Sequence, residues 1–541
     1  MGEYDGPRLV SDRMLYQNLL LVIGLLFAVS LLASLSATLR IAQPLLLVIG
    51  GLAIAVVPGL PHVTLAPELV FLIFLPPLLY EAAWFTSWRE FWRWRRSITM
   101  LAFGLVLFTS TIVAHVAVAV IPGFTLALGF LLGGVISPPD AVAATSVLKG
   151  LRLPKRAITI LEGESLVNDA SSLIVFRFAL AAVVTGHFSM AEAAQEFLMA
   201  AGGGVVLGVV LAAGIYHLHK VIPTTPSINT ALTLLTPYAM YIAAEELHWS
   251  GVMSVVSGGL FLSYRSHSFL DYRSRIQATG VWATLIFMMN GLVFILIGLE
   301  LPEIRSLLTP EEFQRAIGYG AMVSALVIAV RFIWMYPAAH LPRLLFPSIA
   351  RREPTPGLRM PTIIAWAGMR GVVSLAAALS IPEALPDGTP FPQRGVLLVV
   401  TFIVILVTLV GQGLTLPWLV RTLRVEDRDQ RASDEEQELA LRADLVSAVV
   451  AHLDAGAGTD EAHVVKARAK YAHIASSTRA SLDELRRAAP HRHSDEPDLH
   501  RRLITVQRRA LVTLRDTGGY DDEVVRRAEH MLDLEEARFS D

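Results

Sequence analysis

Residues 128–148 read LGFLLGGVISPPDAVAATSVL. The run is apolar over the length that one bilayer crossing takes, about 20 residues, but Pro138, Pro139 and Asp140 stand near its middle. Each proline removes a backbone donor and its ring clashes with the preceding turn, so the helix breaks there. Non-helical backbone at membrane depth survives only where protein buries it or a wet cavity receives it. The carbonyls freed from Ile136 to Pro138 are then candidate cation ligands, with the Asp140 carboxylate beside them. A plain kink with a structural aspartate is the simpler alternative. The coincidence of break and charge favours a binding site.

The next apolar run is AITILEGESLVNDASSLIVFRFALAAV at 157–183. At 3.6 residues per turn, Ser165 and Asp169 share a face, with Glu162 on the same stripe. Glu164 and Asn168 form a second i, i+4 pair on the neighbouring stripe. Oxygen donors of these kinds suit hard, redox-inert cations. The two runs form an antiparallel pair joined by the basic loop 149–156. Counting about 1.5 Å per residue from that loop, Asp140 and Asp169 lie at similar depth. Glu164 is expected in a structural ion pair; Glu162 is either a site residue or a second such acid.

Two further runs carry a charge that cannot easily reach an interface. In LIFLPPLLYEAAW (72–84), Pro76 and Pro77 disrupt a helix and Glu81 follows, either lining an inward-facing cavity or snorkelling to the inner interface. In PTIIAWAGMRGVVSLAAALSIP (361–382), Arg370 stands between Gly368 and Gly371, and glycines permit unwinding there. A fixed guanidinium at that depth needs an acid, and Glu164 is the expected partner. Arg177 and Arg331 are further buried cations, less specified by their surroundings.

The rest of the 541-residue chain fits this picture. It is 54% apolar and only 17% charged, against about a quarter charged for soluble proteins, and its mean hydropathy is +0.54. A formal charge of -2 gives no sign of nucleic-acid binding. The absence of cysteine excludes disulfides, thiolate metal sites and cysteine nucleophiles. Mid-span histidine is lacking too, which leaves Ser165 without a base and argues against a membrane hydrolase.

Thirteen spans are predicted within 17–421, after a short outer tail at 1–16. Basic residues then divide steeply. One set of loops holds Arg89, Arg93, Arg95, Arg96, Lys149, Arg152, Lys155 and Arg156, and later Arg343, Arg351, Arg352 and Arg359; the other holds only Arg305, Arg315 and Arg394. By the positive-inside rule the N-terminus is outside and the C-terminus cytoplasmic. The two broken spans are the fifth and the twelfth, seven apart, as expected of inverted repeats of six spans with interrupted helices crossing at the midplane. The fold class is therefore all-α and polytopic. Residues 422–541 change abruptly to a charged composition and are predicted to form a cytoplasmic helical domain, with apolar spacing at Leu503, Val506, Leu511 and Leu514.

Three motifs resemble those of the monovalent cation:proton antiporter-1 family, the sodium/proton exchangers of bacteria and animals. They are LPPLLYEAAW (75–84), ISPPDAVAA (136–144) running on to LEGESLVNDASSLIVF (161–176), and AGMRGVVSLAAAL (367–379). The resemblance covers most of residues 15–420. It implies a homodimer in the bacterial plasma membrane, an elevator-type motion, a role in pH homeostasis and no resident cofactor. It also implies that Asp169 alternately binds cation and proton, and that Asn168 replaces a second acid found in electrogenic relatives. Asp169, Ser165 and Glu81 would then hold Na+, with a backbone carbonyl at Pro138 or Pro139 and support from Asp140, and Glu164 would pair with Arg370. Many members have threonine where Pro139 stands, which keeps the carbonyl but alters the local geometry. The expected activity is electroneutral exchange of Na+ or Li+ for H+, with K+/H+ exchange as the alternative and a cation channel behind both.

Overall fold

The computed structural model describes residues 6–39, 41–57, 67–148, 151, 153–186, 190–222, 225–352, 357–425, 428–455, 462–487 and 507. These residues are almost entirely helical. In chain order the helices are α1 (Gly6–Leu39), α2 (Gln43–Ala55), α3 (Pro67–Phe85), α4 (Trp88–Thr99), α5 (Val106–Val120), α6 (Leu126–Ile136), α7 (Ala141–Leu148) and α8 (Lys155–Thr185). There follow α9 (Met190–Val221), α10 (Pro226–Glu246), α11 (Gly251–Arg265), α12 (Tyr272–Leu299), α13 (Leu301–Ser306), α14 (Pro310–Leu345) and α15 (Pro347–Arg352). The second broken span is α16 (Arg359–Trp366) and α17 (Val372–Leu379), followed by α18 (Arg394–Leu406) and α19 (Gly413–Leu423). The tail contributes α20 (Arg428–Ala455) and α21 (Ala462–Arg487).

Eight of these segments are long and apolar enough to cross a membrane, and Gln43–Ala55 and Phe71–Phe85 are shorter apolar helices. The remaining expected spans fall on α10, α11 and the pair α16–α17, which are shorter or more polar. Starts are set by side-chain caps that satisfy orphan amides. Thr125 accepts from Leu128 N, Ser250 from Met253 N and Asp271 from Ser274 N, and Thr309 with Glu312 forms a full capping box. Two π-helical turns, Met100–Leu105 and Val407–Gln412, lie inside otherwise α-helical spans. Proline punctuation did not predict them, since neither contains one.

Outer faces remain apolar: Leu20, Phe27, Val206 and Val210 are exposed, as lipid-facing residues are. Inside, glycines let backbones meet. A side chain at Gly51 would strike the Ile295 carbonyl, and one at Gly298 the backbone of Val48 and Leu52, so α2 and α12 lie backbone to backbone. Gly129 and Gly133 do the same for α6 against Ala114 and Ser110 of α5.

The chain divides into two compact units, Met1–Glu426 and Asp427–Asp541. Within the second, α20 and α21 pair antiparallel: Arg468 Nε lies 2.7 Å from Asp454 and Arg479 donates to Ser447 Oγ, over buried Ala443, Ala475 and Leu482. The apolar positions expected at 503–514 lie outside the described residues.

Candidate ion site

Of the three disruptions expected, two are real and they meet; the third is not, since α3 runs as one helix from Pro67 to Phe85 with Pro76 and Pro77 inside it. Helix α6 ends at Ile136 and α7 begins at Ala141; α16 ends at Trp366 and α17 begins at Val372. The Asp140 N–H donates to the Met369 carbonyl at 2.7 Å, which ties one unwound segment to the other.

Four half-helix ends converge at this crossing, and each kind of end receives a charge of opposite sign. Asp140 Oδ1 accepts from Val142 N at 2.8 Å and Ala143 N at 3.3 Å, capping the start of α7. Its other oxygen lies so close to Gly371, at the start of α17, that any Cβ there would collide with it. On the carbonyl side, Arg370 Nε donates to Ile136 O at 2.9 Å and Nη2 to Ser137 O at 3.4 Å, at the end of α6, while Nη1 donates to Gly368 O just past α16. Arg370 N donates to Thr408 Oγ1, on the second π-helical turn. Asp140 and Arg370 therefore hold the crossing together.

This corrects the expected Glu164–Arg370 ion pair. Glu164 is held by Arg331 of α14 in a two-pronged pair at 2.6 and 2.8 Å, both side chains being 1% exposed. The fork of a guanidinium matches a carboxylate in this geometry. Arg331 also donates to Ile364 O, and its chain passes so close to Gly368 that no Cβ fits there. Arg370 has no need of Glu164 because backbone carbonyls absorb its donors. The sequence signal missed was positional: Arg331 was seen as a buried cation, but which helix α8 faces is not encoded locally.

The neighbouring stripe of α8 serves the break. Asn168, fully buried, donates from Nδ2 to the Pro139 carbonyl at 3.0 Å, and Ser165 Oγ accepts from Ala141 N at 3.3 Å. Proline at 139 therefore does retain a carbonyl at the site, oriented by an amide.

Asp169 is 7% exposed, and among the described residues no hydrogen-bond donor engages its carboxylate. It lines a cavity of about 660 Å³ whose wall also includes Ser165, Asp140, Pro138, Pro139 and Glu81. The expected site residues thus come together, except that Asn168 acts from behind the wall, Arg370 grips the crossing through the carbonyls of Ile136 and Ser137, and Glu164 lies in its separate pair with Arg331. Glu162 lines the cavity as well, and among the described residues it forms no ion pair. The far end of the cavity reaches Leu148, Leu151 and Phe85, beside the basic loop and the basic helix α4. A smaller space of about 240 Å³ adjoins it, sharing Glu81 and Asn290. Asn290 carries no charge to mark it within its apolar span, although a lone amide there is also costly. On α8 beyond Asp169, Arg177 pairs with Glu245 of α10 at 2.6 Å, and Glu245 accepts from Gly251 N.

Crossed, interrupted helices with a buried acid facing a cavity beside the crossing mark a secondary transporter. The chain belongs to the sodium/hydrogen exchanger family: the family model described as "Sodium/hydrogen exchanger, transmembrane" matches residues 23–422. It is 33% identical to an uncharacterised Na+/H+ exchanger of Mycobacterium bovis over 99% of both chains. It is 35% identical to the sodium, potassium, lithium and rubidium/H+ antiporter of Bacillus subtilis, over 70% of this chain and 58% of that one. Among solved structures it resembles the sodium–proton antiporter MjNhaP1 of Methanocaldococcus jannaschii with a TM-score of 0.58 and 19% identity, covering 75% of this chain and 99% of the other. That last likeness concerns the fold.

Proposed function

We propose that the protein exchanges a monovalent cation, Na+ or Li+ foremost, for a proton across the bacterial plasma membrane by alternating access, one for one. The observation that carries this reading is Asp169: a buried carboxylate open to the cavity with no hydrogen-bond donor among the described residues. A bare charge at such a place is expensive, so the acid is occupied either by a proton or by a dehydrated cation. Both cannot bind at once. If only the neutralised site crosses the barrier cheaply, exchange is obligatory, and Asn168 adds no second titrating group. Asp169, Ser165, Glu81 and the carbonyls at Pro138 and Pro139 supply the cation's oxygens.

In this reading the N-terminus is outside and the C-terminus cytoplasmic, the cavity faces the cytoplasm, and six-span inverted repeats surround the crossing in each protomer of a homodimer. The physiological role in this reading is pH homeostasis. K+/H+ exchange is the second reading, favoured by the ion list in the name of the Bacillus relative.

The test is sodium-driven proton flux in vesicles carrying Asp169→Asn. Loss of exchange is expected, about 100-fold or more since the carboxylate at which cation and proton compete would be gone, and substantial remaining exchange overturns the assignment. In the unaltered protein, protons compete with the cation. The apparent KM for Na+ should therefore rise as pH falls, with Vmax at saturating Na+ changing less.

A further inference from the structure

Ser374 lies one turn into α17, three residues after the Gly371 that abuts Asp140, so both stand on one stripe of that half-helix. It is 1% exposed and lines the same cavity as Asp169. Its hydroxyl has no hydrogen-bond partner. Buried hydroxyls in helices ordinarily turn back to a carbonyl three or four positions earlier, and several do so here: Ser171 to Val167 O, Ser324 to Gly320 O and Thr408 to Val404 O. Ser374 has no such outlet, because the positions behind it, Arg370 and Gly371, belong to the unwound segment. Leaving a buried donor and acceptor unmade costs about 1–3 kcal/mol, and such a group calls for a ligand or a water. Among the described residues, Ser374 is, besides Asp169 itself, the one buried polar side chain without a partner that also lines this cavity.

We propose that Ser374 Oγ is a further oxygen ligand of the transported cation, directly or through a water the cation retains, and that it helps set selectivity among alkali cations. The rest of the oxygen set comes from α3, α8 and the first broken span. With Ser374 the second broken span also grips the cargo, so both unwound segments register whether the site is filled. No hydrogen bond joins Ser374 to Asp169 or Asp140, so its lone pairs are not already spent on the acids.

This inference rests on the exchange reading above, and the experiment separates the two. The full chain is reconstituted in liposomes at matched protein content, and proton flux is driven in turn by NaCl, LiCl and KCl for the parent, Ser374→Ala, Ser374→Thr and Asp169→Asn. For Ser374→Ala the apparent KM for Na+ should rise about three- to tenfold, as loss of one hydrogen-bond-strength ligand implies, with Vmax within about twofold and the Na+/K+ preference shifted. Ser374→Thr, which keeps the hydroxyl, should restore the parental KM. An unchanged KM and preference in Ser374→Ala overturns the proposal, as does an equal loss in both substitutions or a fall in Vmax alone. If Asp169→Asn still exchanges, the failure belongs to the exchange reading instead.

Discussion

Asp140 takes two backbone amides of α7 on one oxygen and presses the other against the start of α17, while Glu164 is held in a buried salt bridge by Arg331. The two acids are therefore expected to fail differently. Asp140→Asn keeps a cap oxygen and should melt near the parent in detergent. Asp140→Ala loses the cap and should be destabilised by about 1–2 kcal/mol. Glu164→Gln strands a buried guanidinium and should cost about 3–5 kcal/mol. Arg331→Lys should fare little better, since an ammonium cannot reproduce the fork. A thermal double-mutant cycle should give a larger coupling for Glu164 with Arg331 than for Glu164 with Arg370. The reverse order would restore the pairing expected from sequence.

Between helices, glycine placement decides how closely backbones approach. On α12, Gly298 faces the α2 backbone with no room for a methyl group, whereas Gly280 has nothing within 4 Å. The same change at two places on one helix should then have opposite signs. Gly298→Ala should reduce the folded fraction seen by fluorescence-detected size exclusion. Gly280→Ala should be neutral or stabilising by up to about 1 kcal/mol, the helix-propensity gain. Gly371→Ala would put a methyl on the Asp140 carboxylate and should abolish transport, measured as proton flux in vesicles, even where protein still reaches the membrane. At this scale the proline-marked break in the fifth span and the glycine-flanked break in the twelfth were legible, because proline and glycine act on their own turn, yet Pro76 and Pro77 stay inside a continuous α3, so a proline pair alone does not decide a break. The π-helical turns were not, since they answer to neighbours such as Arg370, whose N–H reaches Thr408.

For the molecule as a whole, the cavity's reach from Asp169 to Leu148, Leu151 and Phe85 makes accessibility a directional property. Ser146 lines both the main and the adjoining space, and the native chain has no cysteine to confuse a label. Ser146→Cys should react with a membrane-impermeant maleimide from the cytoplasmic face, in inside-out vesicles, and react much more slowly in right-side-out ones. Faster labelling from outside would reverse the proposed orientation.

Hydropathy, proline and helical periodicity act over a turn or a span, so residue order alone was enough to reveal the apolar segments, the interruptions at 136–140 and 368–371, and the shared face of Ser165 and Asp169. Choice of partner is different in kind. Glu164 had two buried arginines on offer, 167 and 206 positions away by residue number, and only the approach of α14 to α8 gave it Arg331 and left Arg370 to the carbonyls. The same holds for Ser374 and Asn290: their polarity is written in the chain, but the cavity they face exists only once distant helices have packed around it.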